Sequence, residues 1–172
     1  MATENKTDAK KVARFILEFL EEHNKTISVA ESCSSGLLAA VLGDISGASA
    51  SFKGGIVSYA NDVKRNLLGV RDDTLETYGA VSEECAKEMA EGVAHATGSD
   101  HGASITGCAA PSGGTDDNPI GTVYVGMYYN GRSKAIKTFI AGDRTTVRSM
   151  AAAKALDAMC AEVILGELGG RS

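Results

Sequence analysis

No apolar run in this 172-residue chain approaches the roughly 20 residues that a membrane-spanning helix requires. The opening stretch MATENKTDAKK also has no apolar segment of the kind a secretory signal needs. A cytoplasmic protein with no membrane partner is therefore expected. An excess of basic charge is missing as well: 17 Lys and Arg against 22 Asp and Glu leave a net charge of -5, which gives nucleic acid no electrostatic footing. The four cysteines, Cys33, Cys85, Cys108 and Cys160, form no CxxC pair, so free thiols are expected rather than a disulfide framework or a zinc site. The three histidines, His23, His95 and His101, are scattered without HExxH-like spacing. Neither a metal nor another cofactor is expected.

What is present suffices for one buried core. At 44% hydrophobic and 23% charged, the chain reads as a single soluble domain without internal repeats or linkers. Residues 1–9 are read as a disordered polar tail. Val12, Phe15, Ile16, Phe19 and Leu20 recur at helical spacing between Lys10 and His23. A strand is expected from Thr26 to Ala30, a buried helix from Ser34 to Asp44, and a second strand from Gly54 to Ala60. Asn61 is placed to cap a short helix through DVKRNLLG, and Ser82 to cap another that opens with Glu83 and Glu84 and ends at Gly98. The strand HGASITG then runs into a glycine-rich loop. Asn130-Gly131 between GTVYVGMYY and RSKAIKTFI predicts a hairpin with a type I′ turn, and Asp143 caps a long helix from Arg144 to about Leu165. The expected fold is α/β: a three-layer sandwich with a mixed sheet flanked by helices, a late hairpin and a long C-terminal helix.

The stretch SVAESCSSGLLAAVLGDI crowds small polar side chains where a strand hands over to a helix. Ser32 sits at the end of that strand, where open α/β sheets bind ligands. Position alone makes it equally a helix cap, although Ser34 and Ser35 lie closer to the apolar run. A serine nucleophile needs a proton acceptor. None of the histidines is suitably placed, whereas Lys64, one turn past the second strand, reaches the same sheet edge if the two strands are neighbours; a partly buried lysine can serve as a base. Against this stands the solvated helix lysine, the commoner case. Cys33 is a competing nucleophile, which strand alternation should turn away from Ser32. Arg144 places a cation in a helix's first turn, against the dipole, a conflict that an anionic guest would remove; Arg148, one turn later, could assist. Neutral surface placement is the alternative for Arg144.

The segments AESCSSG, GGIVSYANDVKRNLLGV, YGAVSEECAKEMAEG, ITGCAAPSGGTDDNPIGTVYVG and GDRTTVR resemble, in order and spacing, the CinA C-terminal domain family of nicotinamide mononucleotide deamidases. The resemblance runs from about Val12 to Leu165. It implies an amidohydrolase domain over residues 10–168 that converts nicotinamide mononucleotide and water to nicotinate mononucleotide and ammonia, without metal, in pyridine nucleotide salvage. It implies Ser32 as nucleophile and Lys64 as its base. Tyr59 and Asn61, from the same motif as the lysine, would orient Lys64 or the substrate, with strand packing and helix capping as their other readings. Thr106 and Gly107 would wall the pocket, and the backbone near Ser34, Ser35 and Gly36 would hold the oxyanion and substrate. Arg144 and Arg148 would meet the nucleotide phosphate. The resemblance also implies a homo-oligomer. This chain has Ser35 where the family commonly has glycine, and reads Gly107-Cys108-Ala109-Ala110-Pro111 where Gly-Ile-Ala-Gly-Pro is common. Those changes leave open a module that binds a pyridine nucleotide or a protein without hydrolysis.

Overall fold

The computed structural model describes the backbone of residues 2–169 and the side chains of residues 8–162. Five strands form one sheet: β1 (Ile27–Glu31), β2 (Phe52–Val57), β3 (His101–Gly107), β4 (Thr122–Tyr129) and β5 (Arg132–Phe139). Their order across the sheet is β2-β1-β3-β4-β5. The central strand β1 runs parallel to both β2 and β3, and the later pairs β3/β4 and β4/β5 are antiparallel. The sheet is mixed, as expected. Every residue of β1 is buried, as befits a strand with neighbours on both edges and helices on both faces.

The helices are α1 (Ala2–Glu22), α2 (Leu37–Gly43), α3 (Asn61–Leu68), α4 (Asp72–Thr77), α5 (Glu83–Thr97) and α6 (Arg144–Gly169). On one face, α1, α2 and α6 enclose a core that includes Ile16, Leu20, Leu38, Leu42, Leu156 and Met159. On the other, α3 and α5 bury Leu68, Cys85, Met89 and Val93. This gives the three-layer α/β sandwich. The α3/α5 contact is unusually close, because a Cβ at Gly92 would collide with the Leu68 carbonyl group. That contact fixes the helix that carries Lys64.

Several local expectations hold for the physical reasons given. Ser82 Oγ accepts from the Cys85 amide at 3.1 Å to open α5. Asp143 Oδ1 accepts from the Thr146 amide at 2.7 Å to open α6. In the hairpin turn, Asn130 and Gly131 both take positive φ, 49° and 71°.

Others need correction. Helix α1 begins at Ala2, ahead of the Lys10 start that apolar spacing suggests; no glycine or proline interrupts the sequence there. The second strand ends at Val57, so Ser58 and Tyr59 lie beyond it in a connecting turn. Asn61 is not a cap: Ala60 holds that position and no side chain caps α3. The short helix α4 went unrecognised because DDTLET is too brief to show a period. The apolar run in α6, as is usual for such a pattern, packs against the chain's own core through Ala151, Ala155, Leu156 and Met159. Among the described residues, no helix is long and apolar enough to cross a membrane.

Candidate active site

The carboxyl ends of the parallel strands β2, β1 and β3 meet along one edge of the sheet, and the chain leaving each of them contributes to a single cleft. The cleft measures about 280 Å³ and is lined by Ser32, Tyr59, Lys64, Thr106, Gly107 and Arg144, together with Cys33, Cys108 and neighbouring backbone. A larger open groove of about 680 Å³ lies over α3 and α5, but its cation, Arg71, is already paired with Glu88. The smaller cleft gathers the reactive groups.

Lys64 is 1% exposed, on the face of α3 that also buries Leu68. Its Nζ donates to the backbone oxygens of Ser58 at 2.7 Å and Tyr59 at 3.2 Å, and lies 3.0 Å from Ser32 Oγ. Burial pulls its pKa below the usual 10.5, since a dry site disfavours the ammonium; the neighbouring Cys85 and Cys33 thiols oppose this more weakly. A neutral amine has two hydrogens and one lone pair. As an ammonium, Nζ donates to Ser32 Oγ as well; as a neutral amine, with its two hydrogens on the two carbonyls, it would turn its lone pair to the Ser32 hydroxyl. The geometry is that of an alcohol within hydrogen-bond reach of a buried amine.

Cys33 also borders the cleft, yet it is only 5% exposed, and burial pushes its thiol up to about 11. A thiol so disposed stays protonated at neutral pH and is a poor nucleophile. Ser32, half-buried beside an amine, is the better placed of the two.

The turn after Ser32 departs from expectation. Glu31, 1% exposed, accepts from the amides of Gly36 at 3.0 Å, Leu38 at 3.2 Å and Ala39 at 2.7 Å. The carboxylate thus occupies the start of α2, where the helix dipole favours an anion. Two of the backbone N–H groups expected to hold an oxyanion there are engaged within the turn: Gly36 donates to Glu31 and Ser35 to the Ser32 carbonyl. Ser34, Ser35 and Gly36 do not line the cleft. Glu31 was overlooked; its signal was an acid closing an apolar strand just before a helix. Ser35 takes the positive φ of 50° that its glycine counterpart would favour, and its hydroxyl donates to the Ser32 carbonyl at 3.2 Å. Ala110, which stands where the family commonly has its second glycine, has ordinary negative φ, so that replacement carries no such cost.

Thr106 is buried with its hydroxyl donated to the Ala80 carbonyl at 2.6 Å, so it walls the cleft and ties down the segment before α5. Gly107 admits no side chain: a Cβ would stand 2.7 Å from the Thr122 carbonyl oxygen. Ala80, Val81, Ser112 and Gly113 also line the cleft and were not singled out from sequence. Their motif segments YGAVSEEC and PSGG were visible, but glycine, alanine and valine announce no chemistry. Asn61 is exposed and does not line the cleft.

The two arginines separate. Arg144 reaches across the cleft, its Nη1 donating to the carbonyls of Ala109 at 2.9 Å and Ala110 at 3.3 Å and its Nη2 to Tyr59 Oη at 3.0 Å. All three acceptors are uncharged, so its positive charge remains available to an anion. Arg148 instead donates through Nε to the Cys33 carbonyl at 3.1 Å and through Nη2 to the Ser34 carbonyl at 3.0 Å. It does not line the cleft.

Comparison with known proteins shows the family. A CinA-like protein of Kosmotoga olearia is 46% identical over 142 residues, 83% of this chain and 34% of its own length. A CinA-like protein of Thermotoga maritima is 43% identical over 148 residues, 86% of this chain and 36% of its own. The chain therefore spans about a third of the length of the curated relatives it matches. The crystal structure of competence damage-inducible protein A from Klebsiella pneumoniae superposes with a TM-score of 0.87 at 33% identity, covering 91% of this chain and 97% of that one. With the family model for the CinA C-terminal domain matching residues 9–163, the chain belongs to the CinA C-terminal domain family.

Proposed function

We propose that this chain is an amidohydrolase that converts nicotinamide mononucleotide and water to nicotinate mononucleotide and ammonia. The observation that carries the reading is the 3.0 Å approach of a buried lysine amine to Ser32 Oγ. The choice of substrate follows the resemblance drawn from the motifs, and Arg144 at the cleft offers a cation for its phosphate.

The chemistry follows from the geometry. Ser32 Oγ attacks the carboxamide carbon while its proton passes to Lys64 Nζ. The resulting ammonium is held by the carbonyls of Ser58 and Tyr59, which stabilise it more than the neutral amine. As the tetrahedral intermediate collapses, Lys64 returns the proton to the departing nitrogen, and ammonia leaves. Water then attacks the acyl-enzyme ester, giving its proton to Lys64, and the carboxylic acid departs as Ser32 recovers its hydrogen. Tyr59 acts through its backbone on Lys64 and through its hydroxyl on Arg144.

The same reading takes residues 10–168 as the catalytic unit, working in the cytoplasm as a homo-oligomer on a small nucleotide and not on nucleic acid. Incubating the purified protein with nicotinamide mononucleotide and assaying ammonia tests it. Time-dependent release that is lost in Ser32→Ala supports the amidase. Tight nucleotide binding without any ammonia would favour a non-catalytic binding module and reject the hydrolytic reading.

A further inference from the structure

Two side chains of opposite charge grip the turn that carries Ser32, and neither borders the cleft. Glu31 holds three backbone amides on the helix side of that turn, at Gly36, Leu38 and Ala39. Arg148, reaching in from α6, holds two successive carbonyls, those of Cys33 and Ser34, at 3.1 and 3.0 Å. Between the two grips the backbone passes through left-handed conformations at Ser35 and Gly36, with φ of 50° and 94°. A non-glycine residue in that region is a conformational cost that surrounding contacts must offset.

We propose that Arg148 is a positioning residue: by holding the Cys33 and Ser34 carbonyls, it aims the Ser32 hydroxyl at Lys64, and it does not bind the substrate phosphate. The inference rests on the serine–lysine reading of the site. A guanidinium suits this role because its rigid planar fork presents two donors to adjacent acceptors at once, whereas an ammonium is a single point of charge. Arg148 is half-buried and committed to the turn, while Arg144, one helical turn earlier, is the exposed cation at the cleft. The pair that reads as one anion site in sequence is divided by the fold into a substrate-facing arginine and a turn-holding one.

Arg148→Ala and Arg148→Lys test this through four readouts: kcat and KM for ammonia release, the rate at which a fluorophosphonate labels Ser32, and Tm. Because small misplacements of a reacting group are costly, kcat and labelling rate per folded molecule are expected to fall together by about 100-fold in Arg148→Ala. KM should stay within about twofold of the parent, as for a residue that makes no contact with bound substrate. Arg148→Lys should fall between, and added guanidinium ion should restore part of the rate to Arg148→Ala. A KM raised about tenfold or more at unchanged kcat would make Arg148 a phosphate ligand and overturn the proposal. So would unchanged kcat and labelling in the folded variants. Should Arg148→Ala fail to fold, Arg148→Lys decides on the same readouts. A parent protein that labels at Ser32 but releases no ammonia rejects the nucleotide-amidase reading alone, and the labelling rate then judges Arg148.

Discussion

Replacing Lys64 by methionine keeps a long unbranched side chain in place and removes the amine. Two consequences for stability oppose each other. The Ser58 and Tyr59 carbonyls lose a donor at 2.7 and 3.2 Å, and each buried acceptor left without a partner costs about 1–3 kcal/mol. Conversely, the substitution removes an amine whose burial disfavours its charged form. The net change should be within about 2 kcal/mol, so the midpoint of thermal unfolding moves by less than about 8 °C. Catalysis should respond far more strongly. General acid–base catalysis contributes about 100- to 10,000-fold, and Lys64 serves as base and acid in turn, so kcat is expected to fall by at least about 1,000-fold.

The assay pairs ammonia release with calorimetric titration of nicotinamide mononucleotide, so that loss of chemistry is separated from loss of binding. The parent protein adds a pH test. Only the neutral amine accepts the Ser32 proton, so kcat/KM should rise with pH through a lysine pKa lying below 10.5. Stability follows the same sign. The folded amine binds its proton less tightly than the unfolded one, so a penalty is present below the lowered folded pKa and disappears as pH rises from there towards 10.5. Lys64→Met should lose that dependence. Turnover within about tenfold of the parent in a folded, nucleotide-binding Lys64→Met protein would refute the base assignment.

Three further outcomes follow from the same geometry. Gly92→Ala forces a Cβ to within 2.7 Å of the Leu68 carbonyl carbon; it should cost about 1–3 kcal/mol by urea unfolding and also lower kcat, because α3 must move and carries Lys64 with it. Cys33→Ala should keep ammonia release within about threefold of the parent, since a thiol pushed up to about 11 contributes almost no thiolate at neutral pH; loss of the acyl-enzyme mass in this variant but not in Ser32→Ala would reverse the choice of nucleophile. Arg144→Ala should raise KM for nicotinamide mononucleotide by about 10- to 100-fold, the worth of hydrogen bonds to a charged group, while leaving nicotinamide riboside, which lacks the phosphate, unaffected; equal effects on both substrates would remove the phosphate role.

Much of what depends on chemistry close along the chain was legible in the sequence, the short α4 and the cap of α3 excepted. Apolar spacing placed the helices, Ser82 and Asp143 marked two helix starts, and Asn130-Gly131 marked the hairpin, because each acts on backbone within a few residues of itself. Motif resemblance picked out Ser32 and Lys64, two residues 32 positions apart that meet at 3.0 Å. Tertiary structure decided what such cues cannot carry. The parallel pairing of β1 with β2 brings the lysine to the serine, and the close approach of α3 to α5 at Gly92, with the Ser58 and Tyr59 carbonyls, keeps it there. Ser34, Ser35 and Gly36 read as an oxyanion site in the sequence, whereas the fold keeps them out of the cleft lining and turns Glu31 onto the amides of Gly36, Leu38 and Ala39, five to eight residues further along a turn that has no period. Arg144 and Arg148 share a helix and a charge, and sequence gave them one purpose. The loop each one reaches lies more than 30 residues away, Ala109 for one and Cys33 for the other, so the choice of partner, and with it the division of labour, belongs to the packing of α6 against the sheet.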